Sequence, residues 1–147
     1  MDTTRTPAGE APFTYPVEVR YMEVDQQGVV FNGWYLTWFD QAMMHFLAHR
    51  GLAYESMMAR GYDVQLIHNQ TTWRQAVRWL EPVEVAVAAS RFGTTSFDLD
   101  FSVRVGSEER VTGRTTYVVV ATDGSGKRPI PAFLREALAP LTPLIGG

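Results

Sequence analysis

The 147-residue sequence predicts an α+β fold, an antiparallel sheet of about five strands wrapped around one long central α-helix. Three observations predict it. A single stretch, from Gly33 or Trp34 to about Arg50, has helical spacing and is apolar over most of its girth. One alternating segment precedes that helix, and four strand-like segments follow it, joined mainly by tight turns. Strands in succession with short turns pair antiparallel, and a helix apolar nearly all round must be enclosed by other structure.

The elements follow in order. Phe13 to Val24 reads as a strand, because Val17, Val19 and Tyr21 alternate with Glu18, Arg20 and Met22, and it ends at Asp25. In the helix, Tyr35, Phe39, Ala42, Met43 and Phe46 form one face, and Trp34, Trp38 and Leu47 widen it. Gly51 suits the position after a helix end, and Ala53 to Arg60 forms a second short helix closed by Gly61. Tyr62 to Trp79 is long and mixed, with Val64, Leu66, Trp73, Val77 and Trp79 as its expected buried positions and Pro82 as its punctuation. Val83, Val85, Val87 and Ala89 then alternate with Glu84, Ala86, Ala88 and Ser90. After the Gly93-Thr94-Thr95 turn, Phe97, Leu99, Phe101, Val103 and Val105 share one face, with Asp98, Asp100, Ser102 and Arg104 on the other. Gly106-Ser107-Glu108 turns the chain into a Val- and Thr-rich strand from Arg110 to Thr122. Asp123 to Gly126 ends it, and Pro129-Ile130-Pro131 leads into a short helix from Ala132 to Leu138. The expected organisation is a tail over residues 1–12, one domain over 13–139 and a C-terminal tail over 140–147.

Composition narrows the function. A hydrophobic content of 46% and a charged content of 20% are those of an ordinary globular chain. A net charge of −3 argues against a nonspecific nucleic-acid binder, which needs a basic face. With no cysteine, disulfides and thiolate metal sites are excluded. No segment approaches the roughly 20 apolar residues of a membrane span, and a cytoplasmic protein is expected.

The chemistry gathers at Val24-Asp25-Gln26-Gln27-Gly28-Val29-Val30-Phe31-Asn32. It sets a carboxylate beside a helix N-terminus, where unpaired N–H groups and the positive end of the helix dipole collect. Asp25-x-x-Gly28-Val29-Val30-Phe31, followed by Tyr35-x-x-Trp38-Phe39-Asp40, resembles the signature of the 4-hydroxybenzoyl-CoA thioesterase family, whose fold is the hotdog fold. The resemblance is tight from Arg20 to Leu52 and looser to about Ala137.

That resemblance implies an acyl-CoA thioesterase, active without metal or redox cofactor. It implies Asp25 as nucleophile or general base. It also implies the backbone N–H of Asn32, with help from that of Phe31, as the oxyanion hole. Gly28, Phe31, Trp34 and Tyr35 become the expected substrate contacts. Many members of the group carry His where this chain has Asn32, so only the backbone role transfers. Arg91, Lys127 and Arg128 are the candidates for the CoA phosphates, and an acyl carrier protein is the alternative thioester carrier. The fold implies a homodimer joined edge to edge, commonly paired again into a tetramer, with the active site between subunits.

Plainer readings stand beside these. Asp25 is also a good turn former and Asn32 a good helix cap. The aromatic stripe is first of all core, and Lys127-Arg128 reads equally as a solvated loop. His45 and His49 share a helix face, yet no His-Glu-x-x-His motif is present, and His68 lies on another element. A Gly-x-Ser-x-Gly elbow, a phosphate-binding P-loop and a dinucleotide fingerprint are all missing from the sequence. The rival functions are a hotdog hydratase or dehydratase, and a module that binds an acyl thioester or aromatic ligand without turnover.

Overall fold

The computed structural model describes residues 11–146. Nearly all of the expected N-terminal tail therefore lies outside the described residues. The elements are β1 (Phe13–Val17), a 3-10 turn (Tyr21–Glu23), α1 (Trp34–His49), α2 (Tyr54–Ala59), β2 (Tyr62–Trp73), β3 (Val83–Phe92), β4 (Ser96–Val105), β5 (Glu108–Ala121) and α3 (Ala132–Leu138). The strands form one antiparallel sheet in the order β1-β3-β4-β5-β2. This is the α+β arrangement the periodicity predicts.

The strict alternation of β4 does what it implies. Phe97, Leu99, Phe101 and Val103 are fully buried against α1, which offers Tyr35, Trp38, Phe39, Ala42, Met43, Phe46 and Leu47. Phe39 stacks on Phe101 with ring centroids 4.6 Å apart. That stacking depends on a glycine, because Gly113 faces Phe101 across the β4–β5 ladder. A Cβ at Gly113 would lie 2.5 Å from Phe39 Cε2 and 2.9 Å from its Cζ.

The polar face of β4 is also buried. Asp100 is 0% exposed and takes two hydrogen bonds from Arg114, 2.7 and 3.0 Å long. It also accepts the backbone N–H groups of Leu144 and Ile145 at 3.0 and 3.1 Å. Thr142 N–H bonds to Ala89 O at 2.9 Å. Residues 140–146 thus form a strap across the outer face of the sheet, and the expected polar face has a cover.

Two expectations about strands need correction. β1 stops at Val17, well short of Val24. It pairs with β3, whose ladder with it ends at the Val17–Val83 pair just after Pro82, so residues 18–20 have no strand to join. The chain tightens into the 3-10 turn instead. The second correction concerns Tyr62 to Trp79. The strand ends at Trp73, and of the expected buried positions only Val77 is fully buried. Leu66, Trp73 and Trp79 are 43%, 46% and 45% exposed, because β2 is an edge strand and the chain beyond it is loop.

Candidate active site

Asp25 sits at the tip of a small hairpin rather than at a strand end. Val24 pairs with Val30, Asp25 N–H donates to Val29 O at 2.9 Å, and Gly28 N–H closes the turn on Asp25 O at 3.0 Å. Gly28 has φ of +77°, a left-handed conformation that glycine adopts without steric cost. Asp25 Oδ1 accepts the N–H of Gln27 at 2.8 Å, the turn-forming bond its residue type favours. Its Oδ2 has no hydrogen-bond partner among the described residues.

The hairpin is fastened on two sides. Val30 N–H donates to Val77 O at 2.8 Å, and Val29 pairs with Arg78, which ties it to the loop after β2. That loop is clamped in turn by Arg110, which bonds Glu81 through two nitrogens and Ala76 O at 2.6 Å. On the other side stands Glu23, only 1% exposed. Its Oε1 accepts Arg20 N–H at 2.7 Å, and its Oε2 accepts Trp38 Nε1–H of α1 at 3.0 Å and Arg20 Nη2 at 3.2 Å. Burial pushes the pKa of Glu23 up, but these donors and the Arg20 charge outweigh it and hold the carboxyl below its usual range. Its backbone oxygen accepts the N–H of Phe31 at 2.8 Å.

That last bond settles which N–H groups are available. The Phe31 N–H is taken and cannot hold a substrate oxygen, contrary to the sequence expectation. The N–H groups of Asn32 and Gly33 have no acceptor among the described residues. They lie at the start of α1, whose N-cap is Gly33 and not Asn32. The helix enters there because Trp34 N–H closes on Phe31 O at 3.1 Å, which leaves the Asn32 side chain exposed one residue outside the helix. Asn32 therefore does not cap α1.

The expected substrate contacts separate. Phe31 is 56% exposed next to the two open N–H groups. Trp34 is half-buried beneath the Arg20 guanidinium, 5.4 Å from its ring. Tyr35 is 1% exposed and belongs to the core, where burial raises its pKa against the pull of the Val77 backbone and Arg110. Asp40 accepts the hydroxyl of the buried Tyr117 of β5 at 3.1 Å, and partial burial raises its pKa.

The phosphate candidates lie elsewhere. Arg91 is committed to Asp98, at 2.9 and 3.1 Å, and to Ser96. Arg128 bonds Lys127 O and Ser125, and both residues hang on the Val119–Val120 end of β5. The loop beside Asp25 bonds instead to Arg110 O at the start of that strand. About ten residues of strand separate the two points, about 30 Å at the usual rise. One chain does not bring Lys127 or Arg128 to Asp25. The sequence did not single out Arg74 and Arg78, both exposed on the loop after β2; Arg78 pairs with Val29 of the Asp25 hairpin, and Arg74 lies 3.8 Å from the Glu109 carboxylate. The sequence placed both inside the strand-like segment from Tyr62 to Trp79, so nothing marked them out. Among the described residues no cluster of three or more His, Asp or Glu side chains is placed to hold a metal ion, and no helix is long and apolar enough to cross a membrane.

Residues 19–138 match the family model of the thioesterase-like superfamily, a span that begins just before the 3-10 turn and ends at α3. The chain belongs to that superfamily. Among solved structures it is similar to a hypothetical protein from Aquifex aeolicus, with a TM-score of 0.82 and 23% identity over 87% of this chain and 100% of that one. A hypothetical protein from Thermus thermophilus has a TM-score of 0.80 and 27% identity, covering 85% of this chain and 95% of its own. A 1,4-dihydroxy-2-naphthoyl-CoA thioesterase from Synechocystis has a TM-score of 0.77 and 18% identity over 87% of this chain and 96% of that one. The sheet order and central helix are those of the hotdog fold.

Proposed function

We propose that this protein hydrolyses acyl-CoA thioesters, with Asp25 as the reacting carboxylate and the N–H groups of Asn32 and Gly33 as the oxyanion hole. The observation that carries the reading is the pairing of parts. A carboxylate with one uncommitted oxygen stands on a hairpin fastened to the same segment that presents two open N–H groups at the start of a helix. Membership of the thioesterase-like superfamily supports it, as does the fold shared with the Synechocystis thioesterase.

The chemistry follows from the geometry. The thioester carbonyl oxygen takes the two N–H groups, which strengthen their hold as it becomes anionic in the tetrahedral intermediate. Asp25 either removes a proton from water as the water oxygen bonds the carbonyl carbon, or bonds that carbon itself and yields to water later. In both routes the C–S bond breaks, the sulfur leaves as the thiol with the proton Asp25 or water supplies, and the free acid remains. In single-turnover hydrolysis in ¹⁸O water, label in Asp25 would establish the anhydride route with water attacking the Asp25 carbonyl, and trapping of an acylated Asp25 by rapid quench reports the anhydride whichever carbonyl water attacks.

The second subunit enters through β2. It is a twelve-residue edge strand with Leu66, Ile67 and Trp73 exposed, a surface that isolated chains avoid. Antiparallel pairing of β2 with its copy turns the partner sheet end for end. Lys127 and Arg128 of the partner subunit then come to the Asp25 side, where the CoA phosphates lie.

The test is thiol release from a panel of benzoyl, hydroxybenzoyl, phenylacetyl, short aliphatic and long aliphatic CoA thioesters, with wild type and Asp25→Asn side by side. Turnover of one class that falls at least about a hundredfold in Asp25→Asn supports the reading, in line with the usual contribution of a positioned acid-base group. Equal kcat in both proteins removes Asp25 from the chemistry. An enoyl thioester formed without thiol release would indicate a hydratase or dehydratase.

A further inference from the structure

We infer that Glu23 is a positioning residue, whose buried side chain and backbone oxygen together hold the Asp25 hairpin and the Asn32–Gly33 N–H pair in one rigid frame. This rests on the hydrolysis reading above. Glu23 is two residues from Asp25, and its carboxylate anchors the hairpin to α1 through Trp38 Nε1–H at 3.0 Å. Its backbone oxygen takes Phe31 N–H at 2.8 Å, next to the residue whose N–H is open. Carboxylate and oxyanion hole are thus both referenced to the same residue, one through two peptide units and the other through one.

Its own chemistry is excluded by its partners. Donors occupy both carboxylate oxygens, and at 1% exposure the group is out of reach of a substrate. A buried carboxylate in this state is costly unless fully bonded, and a purely structural need would be met equally by an apolar side chain against Trp38. What the carboxylate adds is direction: three donors from two separate elements fix its plane, and with it the entry to the hairpin. Misplacement of a reacting group by about 1 Å costs on the order of a hundredfold in rate.

The experiment compares Glu23→Gln, Trp38→Phe and their double variant with wild type, on the acyl-CoA that wild type hydrolyses best. An amide at position 23 must turn an N–H₂ toward one of the donors, and Phe removes the indole donor while keeping an aromatic ring. The expected result is a kcat about ten- to a hundredfold lower, with KM within about threefold, for each single variant. The double variant should fall no further than the worse single, because both act through one bond. Leu134→Ala, a fully buried change in α3 at the other end of the sheet, is the stability control. It should lose comparable Tm with kcat within about twofold. A Glu23→Gln protein with wild-type kcat, or one whose loss only tracks Tm as the control does, overturns the inference. If wild type releases thiol from none of the panel, the hydrolysis reading fails by itself, and amide exchange at Phe31 decides the frame. Faster exchange in Glu23→Gln upholds it; unchanged exchange refutes it.

Discussion

Replacing Gly113 with alanine places one methyl group where the structure has least room. The new Cβ would stand 2.5 and 2.9 Å from two carbons of the Phe39 ring. Ordinary carbon contacts begin near 3.5 Å, so the ring must retreat by about 1 Å. It cannot do so freely, since the ring is also stacked on Phe101 at 4.6 Å. Overpacking of this kind costs about 1–3 kcal/mol, against a gain of about 0.4–1 kcal/mol from stiffening the unfolded chain. The clash wins, leaving a net loss of about 1–2 kcal/mol, or about 3–8 °C in Tm for a chain of this size. Thermal unfolding followed by far-UV circular dichroism at fixed protein concentration measures it. Gly113→Ala combined with Phe39→Leu should recover part of the loss, because the smaller side chain vacates the contact. A Gly113→Ala Tm equal to or above wild type would show that the ring yields without cost and would refute the packing argument.

Two further predictions concern charge and assembly. Asp100 is fully buried; burial raises its pKa, but Arg114, Ser90 and the N–H groups of Ile145 and Leu144 more than offset this and hold it below the normal carboxylate range. Glu23 is held low in the same way. A depressed folded pKa means stability that is complete above the unfolded value, near pH 4, and is lost as pH falls through the folded value. Urea midpoints should therefore drop below about pH 4, and Asp100→Asn should flatten that limb while lowering stability at pH 7. A wild-type midpoint unchanged from pH 7 to pH 3 would contradict the assignment. Ile67→Lys puts a charge on the exposed stretch of β2, where Ile67 is 57% exposed. Light scattering after gel filtration should show a smaller species than wild type, with thiol release reduced alongside; an unchanged mass would place the subunit contact elsewhere.

The fold was readable where the pattern was local. Strict alternation from Phe97 to Val105 and an apolar girth from Trp34 to Leu47 each report a single buried environment. They led to the sheet and its helix without further information. The Asp25 turn and its glycine were readable for the same reason, as a four-residue event. What escaped the sequence was decided by partners distant along the chain. Val17 ends β1 because Pro82 limits its partner strand. Trp73 and Trp79 look like core residues by type but fall at an edge and on a loop. Glu23 falls in the alternation on the same side as Val17, Val19 and Tyr21, where a carboxylate is out of place, and nothing near it announces that Trp38 will cover it. Arg91 appears free until the β3–β4 register sets it beside Asp98. The separation of Lys127 and Arg128 from Asp25 is a fact of strand direction, which spacing along the chain does not encode.

The strap over the sheet also limits how copies of the chain can be stacked. Asp98, Asp100 and Ser102 would otherwise present a polar floor on which a second sheet could be laid. With residues 140–146 bonded across it, a sheet approaching from that side meets Leu141, Thr142 and Pro143, all exposed, and never reaches the middle strand. A layer placed on that side would meet the strap at the centre before it met β4. The last stretch of described chain thus acts as a shingle, and the surfaces it leaves uncovered include the edge next to Trp73 and the hairpin that carries Asp25.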